Sequence, residues 1–120
     1  MNYLLIEYPK CSTCQKAKKW LEENKIEYID RHIIQDCPTI EELTQWMEKS
    51  GLPLRRFFNT SGMKYKELNL KEKLPNLSTK EQLRLLSTNG MLLKRPLLIG
   101  QDTILVGFRK EQWETTLLKK

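Results

Sequence analysis

A chain of 120 residues, 39% hydrophobic and 30% charged, has the size and composition of one globular domain, and it is too apolar for disorder. No apolar run approaches the ~20 residues of a membrane span, and the first ten residues have neither the basic start nor the long apolar stretch of a secretory signal, so a cytoplasmic, reducing location is expected. Lys and Arg outnumber Asp and Glu by 21 to 15, a net charge of +6, but the basic residues are dispersed and often sit beside Glu, as in Lys71-Glu72-Lys73. A nucleic-acid footprint clusters on one face, so the charge reads as a solvated surface and no direct nucleic-acid contact is expected.

Residues 3–8, Tyr-Leu-Leu-Ile-Glu-Tyr, read as a short buried strand ended by Pro9. After Cys11-Ser12-Thr13-Cys14 comes strong helix-forming composition, with Cys14, Ala17, Trp20 and Leu21 on one face. Residues 26–31 alternate apolar and polar as a second strand, which makes the opening a βαβ unit. Thr39 with Glu42 has capping-box spacing, and Ile40, Leu43, Trp46 and Met47 follow at helical intervals up to Gly51.

Residues 52–77 are less regular, with a short helix expected around Tyr65–Leu68. Ser78 with Glu81 opens another helix, closed near Asn89-Gly90. Residues 96–99 and 103–106 read as a hairpin about Gly100-Gln101-Asp102, and a final helix spans roughly 110–118. The order predicts one α/β domain over residues 1–120. Its small mixed sheet has helices on its faces, and a helical insert of roughly 38–90 caps the same core.

The chemistry concentrates at Cys11 and Cys14. An odd count of three cysteines argues against a stapled framework, and in a reducing compartment a close pair is reactive or metal-binding. A cysteine at a helix N-terminus meets unpaired N–H groups and the positive end of the helix dipole, which favour the thiolate. Lys10 and Lys16 would act in the same direction. Thiolate is the attacking species in disulfide exchange. Cys11 is therefore the expected nucleophile and Cys14, one turn deeper, the expected resolving thiol.

Cys11, Cys14, His32 and Cys37 could form a Cys₃His zinc set. Against that, a helix follows Cys14 at once, and only one CxxC pair exists. The redox reading is therefore preferred and no metal is expected. Cys37 is the odd one out, and a remote redox partnership with Cys11 stays open. In Arg95-Pro96, the proline either starts a strand or forms a cis bond that brings backbone and the Arg95 charge beside Cys11.

Tyr8-Pro9-Lys10-Cys11-Ser12-Thr13-Cys14-Gln15-Lys16-Ala17, Tyr65-Lys66-Glu67-Leu68, Lys94-Arg95-Pro96-Leu97 and Gly107-Phe108 together resemble the family that joins glutaredoxin-type arsenate reductases (ArsC-like) to the Spx regulators of Gram-positive bacteria. The resemblance runs in order over essentially the whole chain. It implies a thioredoxin-like fold, glutaredoxin-type, with a mixed four-stranded sheet and an inserted helical subdomain, and a cis Pro96 facing the cysteine. In the reductases one cysteine attacks arsenate and three arginines hold the oxyanion.

Here the cysteine matches Cys11, the arginine before the proline matches Arg95, and the one near the end of the last strand matches Arg109. The first arginine position is occupied by Asn59, while Arg55 and Arg56 lie off it. Losing one guanidinium removes a bidentate oxyanion clamp.

The resemblance thus implies an oxidoreductase with Cys11 and Cys14 as catalytic residues and with Lys10, Arg95, Pro96 and Arg109 around a small oxyanion or disulfide substrate. No bound cofactor is implied. Glutathione with glutaredoxin, or thioredoxin, would act as external reductant and redox partner. The Spx branch implies the alternative, a redox-sensing regulator that contacts the C-terminal domain of RNA polymerase α.

Overall fold

Four short strands, β1 (Tyr3–Glu7), β2 (Tyr28–His32), β3 (Leu97–Ile99) and β4 (Ile104–Val106), pair in the order β2-β1-β3-β4. The computed structural model describes residues 3–118. β1 runs parallel to β2 and antiparallel to β3, and β3 runs antiparallel to β4, so the sheet is mixed. The described residues form two compact units. One runs to His32 and resumes at Arg95, and the other is Ile33–Lys94.

The first unit carries α1 (Ser12–Glu23), between β1 and β2, and α6 (Lys110–Leu117), after β4. Register places Leu5 beside Leu98 and Leu98 beside Leu105, a row of apolar side chains on one sheet face. Ala17, Trp20 and Leu21 of α1 and Trp113 of α6 close over that row. Each such side chain removed from water contributes about 1.5–3 kcal/mol.

Trp113 is fully buried and packs edge-on against Trp20 at 5.9 Å and Phe108 at 4.8 Å between ring centroids. Its indole N–H donates to the Gly107 carbonyl at 3.1 Å. Gly107 has φ 77°, a conformation that glycine adopts without strain. Edge-to-face rings add roughly 0.5–1.5 kcal/mol beyond area.

β2 starts at Tyr28 instead of residue 26 because the chain leaving α1 first makes a tight turn. Lys25 takes a positive φ of 55°, and the Ile26 N–H donates back to the Leu21 carbonyl. Likewise β3 begins at Leu97, one residue after the expected start, since Pro96 has no N–H for the ladder.

The second unit is helical. Its elements include α2 (Ile40–Ser50), α3 (Met63–Glu67), α4 (Leu70–Lys73) and α5 (Thr79–Thr88), with 3₁₀ turns at Leu54–Phe57, Leu74–Asn76 and Gly90–Leu92. Both expected capping boxes are present: Thr39 and Glu42 exchange hydrogen bonds at the head of α2, as do Ser78 and Glu81 at the head of α5. Gly51 ends α2 in the left-handed region with φ 68°. Among the described residues, no helix is long and apolar enough to cross a membrane.

Candidate active site

β1 hands the chain to α1 through Pro9 and Lys10. The Cys11 N–H donates to the Tyr8 carbonyl at 2.9 Å, and Gln15 Nε2 donates to the Pro9 carbonyl at 2.7 Å. This fixes Cys11 as the N-cap of α1 in an extended conformation. Cys14 is the third residue of the helix, and its inward-facing side chain is fully buried, whereas Cys11 is half-buried. Both are free thiols. The expected pair therefore occupies a strand-to-helix junction, with the outer sulfur accessible and the inner one enclosed.

Their ionisation is split. Partial burial opposes charge on Cys11, but the Cys14 N–H, the Cys14 thiol and the Arg95 guanidinium outweigh it and hold Cys11 below the ordinary thiol value. Burial pushes Cys14 up to about 12. The Tyr8 N–H works against this, while the Cys11 sulfur and the Glu7 carboxylate add to it. One sulfur thus gives up its proton more readily than an ordinary thiol, while the other holds its own.

Arg95 reaches this site through the Arg95–Pro96 bond, which is cis. Pro96 is buried, and its carbonyl accepts the Gly107 N–H at 2.8 Å, which anchors the turn beside the sheet. The Arg95 guanidinium carbon lies 5.4 Å from the centre of the Tyr8 ring, and Tyr8 also meets His32 edge-on at 5.9 Å. A cation over an aromatic face is held by the ring's quadrupole. Arg95 Nε and Nη1 are buried and donate to no protein acceptor. They are two donors without partners, on the guanidinium that acts on the Cys11 sulfur, where an anionic group could accept from them.

Lys10 is exposed at the turn, and Arg109 is exposed as the N-cap of α6, its carbonyl accepting the Trp113 N–H at 3.0 Å. Arg95 lowers Cys11 both by hydrogen bonding and by its charge. In the second unit the Cys37 thiol points at the Leu86 and Ser87 carbonyls, 3.8 and 3.6 Å away. Asn59, at the position of the expected first arginine, donates its N–H to the Leu92 carbonyl and accepts the Ser61 hydroxyl. Among the described residues, no group of three or more His, Cys, Asp or Glu is placed to hold a metal ion.

Two features of the site escape the sequence. Tyr8 reads as the end of a strand with no role toward Arg95, yet the Arg95 guanidinium lies over its ring. Glu7 reads as an ordinary strand residue, yet it is 2% exposed, with Lys18 and Asp30 around it. The one signal is a lone carboxylate closing an apolar strand four residues before a cysteine.

The chain belongs to the ArsC family, whose model matches residues 6–116. It is 58% identical over 114 residues to the uncharacterised protein YusI of Bacillus subtilis (strain 168), covering 95% of this chain and 97% of that protein. It is 31% identical over 108 residues to the global transcriptional regulator Spx 1 of Bacillus cereus, covering 90% of this chain and 81% of the regulator. Among solved structures, an ArsC-family-related protein from Bacteroides fragilis superimposes with a TM-score of 0.92 at 57% identity, covering 96% and 97% of the two chains. The mixed four-stranded sheet with its helices is thus the thioredoxin-like α/β fold of this family.

Proposed function

We propose that this ArsC-family chain is a cytoplasmic thiol–disulfide oxidoreductase in which Cys11 attacks and Cys14 resolves. The observation that carries the reading is the asymmetry of the pair: Cys11 is accessible at the N-cap of α1 and lowered in pKa with Arg95 beside it, while Cys14 is enclosed and raised to about 12. The Cys11 thiolate attacks one sulfur of a disulfide, bonds to it and expels the other as a thiolate. Cys14, once deprotonated, attacks the Cys11 sulfur, forms the Cys11–Cys14 disulfide and releases the remaining substrate thiol. An external thiol reductant, glutathione with glutaredoxin or thioredoxin, then returns both cysteines to thiols.

Arg95, with two buried donors unpartnered, steadies the anionic end of the substrate or the departing thiolate. We favour a glutathione-type or protein disulfide over arsenate. The family resemblance expects a further guanidinium where this chain has Asn59, and a carboxamide offers no positive charge to an oxyanion.

A reductase assay coupled to glutathione/glutaredoxin or to thioredoxin, run with arsenate and with small disulfides, tests the reading. Turnover is expected with disulfides and abolished in Cys11→Ser, while Cys14→Ser accumulates a mixed disulfide. Undiminished turnover in Cys11→Ser would refute it.

The similarity to Spx 1 favours a second reading, a redox-sensing regulator that binds the C-terminal domain of RNA polymerase α. A pull-down with that domain in the dithiol and disulfide states checks it, and no capture in either state removes it.

A further inference from the structure

Glu7 closes β1 and is 2% exposed, and no other charged residue among the described ones is buried to that degree. A buried carboxylate is normally matched by a close cation or by several donors. Glu7 has neither in full. Lys18 Nζ stands 3.7 Å from Oε2 but 3.0 Å from Asp30 Oδ2, so the ammonium belongs mainly to Asp30. Glu7 Oε1 accepts no hydrogen bond.

The groups facing Glu7 are few. α1 presents Lys18 and, one turn earlier on the same face, Cys14. β2 presents Asp30, and His32 at the paired register position. The β3 residues paired with β1 are Leu97, Leu98 and Ile99, which do not titrate. Asp30, its side chain 42% exposed, opens the cluster to solvent.

We propose that Glu7 accepts the proton of Cys14 in the resolving step and passes it through Asp30 to solvent. The proposal rests on the assignment of Cys11 and Cys14 made above. When Cys11 is joined to a substrate sulfur, the Cys14 S–H bond breaks toward the Glu7 carboxylate. The resulting thiolate attacks the Cys11 sulfur. The Cys14–Cys11 bond forms, the Cys11–substrate bond breaks, and its electron pair leaves on the substrate thiolate. The substrate disulfide is reduced, the cysteine pair is oxidised, and the proton moves from Glu7 to Asp30 and then to water or the departing thiolate.

The acid–base properties agree with the geometry. Burial first, and then the hydrogen bond and charge of Asp30, raise Glu7 to about 7, so it is available both as base and as acid near neutral pH. Asp30 stays low despite burial because Glu7 and Lys18 stabilise its charge. The Cys11 thiolate is one cause of the high Cys14 value, and it is consumed when the mixed disulfide forms, so Cys14 becomes easier to deprotonate at the moment it is needed.

Stopped-flow reaction with 5,5′-dithiobis(2-nitrobenzoate), in a Cys37→Ser background from pH 5 to 9, separates the steps. The first burst of chromophore reports attack by Cys11, and the second reports release by Cys14. Glu7→Gln is expected to slow the second burst about 10²-fold at pH 7 and remove its near-neutral inflection. A purely electrostatic role has the opposite sign, because deleting the Glu7 charge makes Cys14 easier to ionise and speeds the second burst. A second burst that is unchanged or faster in Glu7→Gln overturns the proposal.

A second burst that persists in Cys14→Ser overturns the underlying assignment instead. Carboxyl ¹³C NMR on the Cys37→Ser protein gives a readout that does not depend on the amide variant folding. Glu7 must titrate near neutral pH and shift when Cys14 is replaced by Ser. An ordinary carboxylate titration, the same in both proteins, also overturns the proposal.

Discussion

Glu7 sets a slope on the stability of the protein against pH. Its carboxyl titrates near 4.5 when free in water and at about 7 when folded, because burial and then the Asp30 carboxyl disfavour its charge. Between those two values the folded protein holds a proton that the unfolded chain has released. Folding stability therefore falls as pH rises, by about 1.4 kcal/mol per pH unit. The contribution is fully present below pH 4.5, is lost progressively through pH 7 and is flat above it. Over the window the loss is about 3 kcal/mol.

Neighbouring groups do not cancel this slope. Asp30 is held below the ordinary carboxylate value, against its burial, by Glu7 and Lys18, so its contribution is lost only in more acid solution. Lys18 is raised by Asp30, and its contribution is lost only in alkali.

Urea unfolding followed by tryptophan fluorescence reports on Trp20 and Trp113 in the unit that contains Glu7, and on Trp46 in the other. Measured at pH 5, 6, 7 and 8, the wild-type stability minus that of Glu7→Gln should decline by about 2.5 kcal/mol, since the amide cannot titrate. A flat difference curve, or one rising with pH, would show that Glu7 is not a buried acid of this kind.

Arg95→Met should move the pH midpoint of Cys11 alkylation by iodoacetamide upward, because it removes a cation that stabilises the thiolate, whereas Arg109→Met should leave it in place; equal shifts in the two variants would contradict the geometry. Trp113→Phe keeps an aromatic ring in the core but leaves the Gly107 carbonyl without its 3.1 Å donor, and should cost about 1–3 kcal/mol in urea unfolding. Ser78→Ala strips the acceptor from the Glu81 N–H at the head of α5 and should cost about 1 kcal/mol, with Ser78→Thr restoring most of it; no loss in the alanine variant would mean that the box contributes nothing.

What can be read from the chain is local. The capping boxes at Thr39 and Ser78 depend on residues three apart, and the face formed by Cys14, Ala17, Trp20 and Leu21 depends on helical periodicity. All of them are present in the fold. The position of Cys11 at the head of a helix follows from the same kind of spacing. Alternation places the start of β2 two residues early, because the pattern of Ile26, Glu27 and Tyr28 continues back through a turn that Lys25 makes with a positive φ. Periodicity registers side-chain polarity and does not register a backbone dihedral.

The parts of the site that escape depend on residues brought together across the sheet. Spacing offers Arg95 a place beside Cys11 only if the bond to Pro96 is cis, and sequence alone cannot choose the isomer. Nothing in Tyr-Leu-Leu-Ile-Glu says that its last residue is buried. That follows only once β2 lays Asp30 beside β1 and α1 brings Lys18 down onto both. The lowered pKa of Cys11 draws on a helix end, which is encoded locally, and on the Arg95 guanidinium, which is not. On the proposed route the proton of the enclosed Cys14 leaves through Glu7, close in sequence, and Asp30, which β2 brings alongside. That route is therefore the half of the site that a motif search passes over.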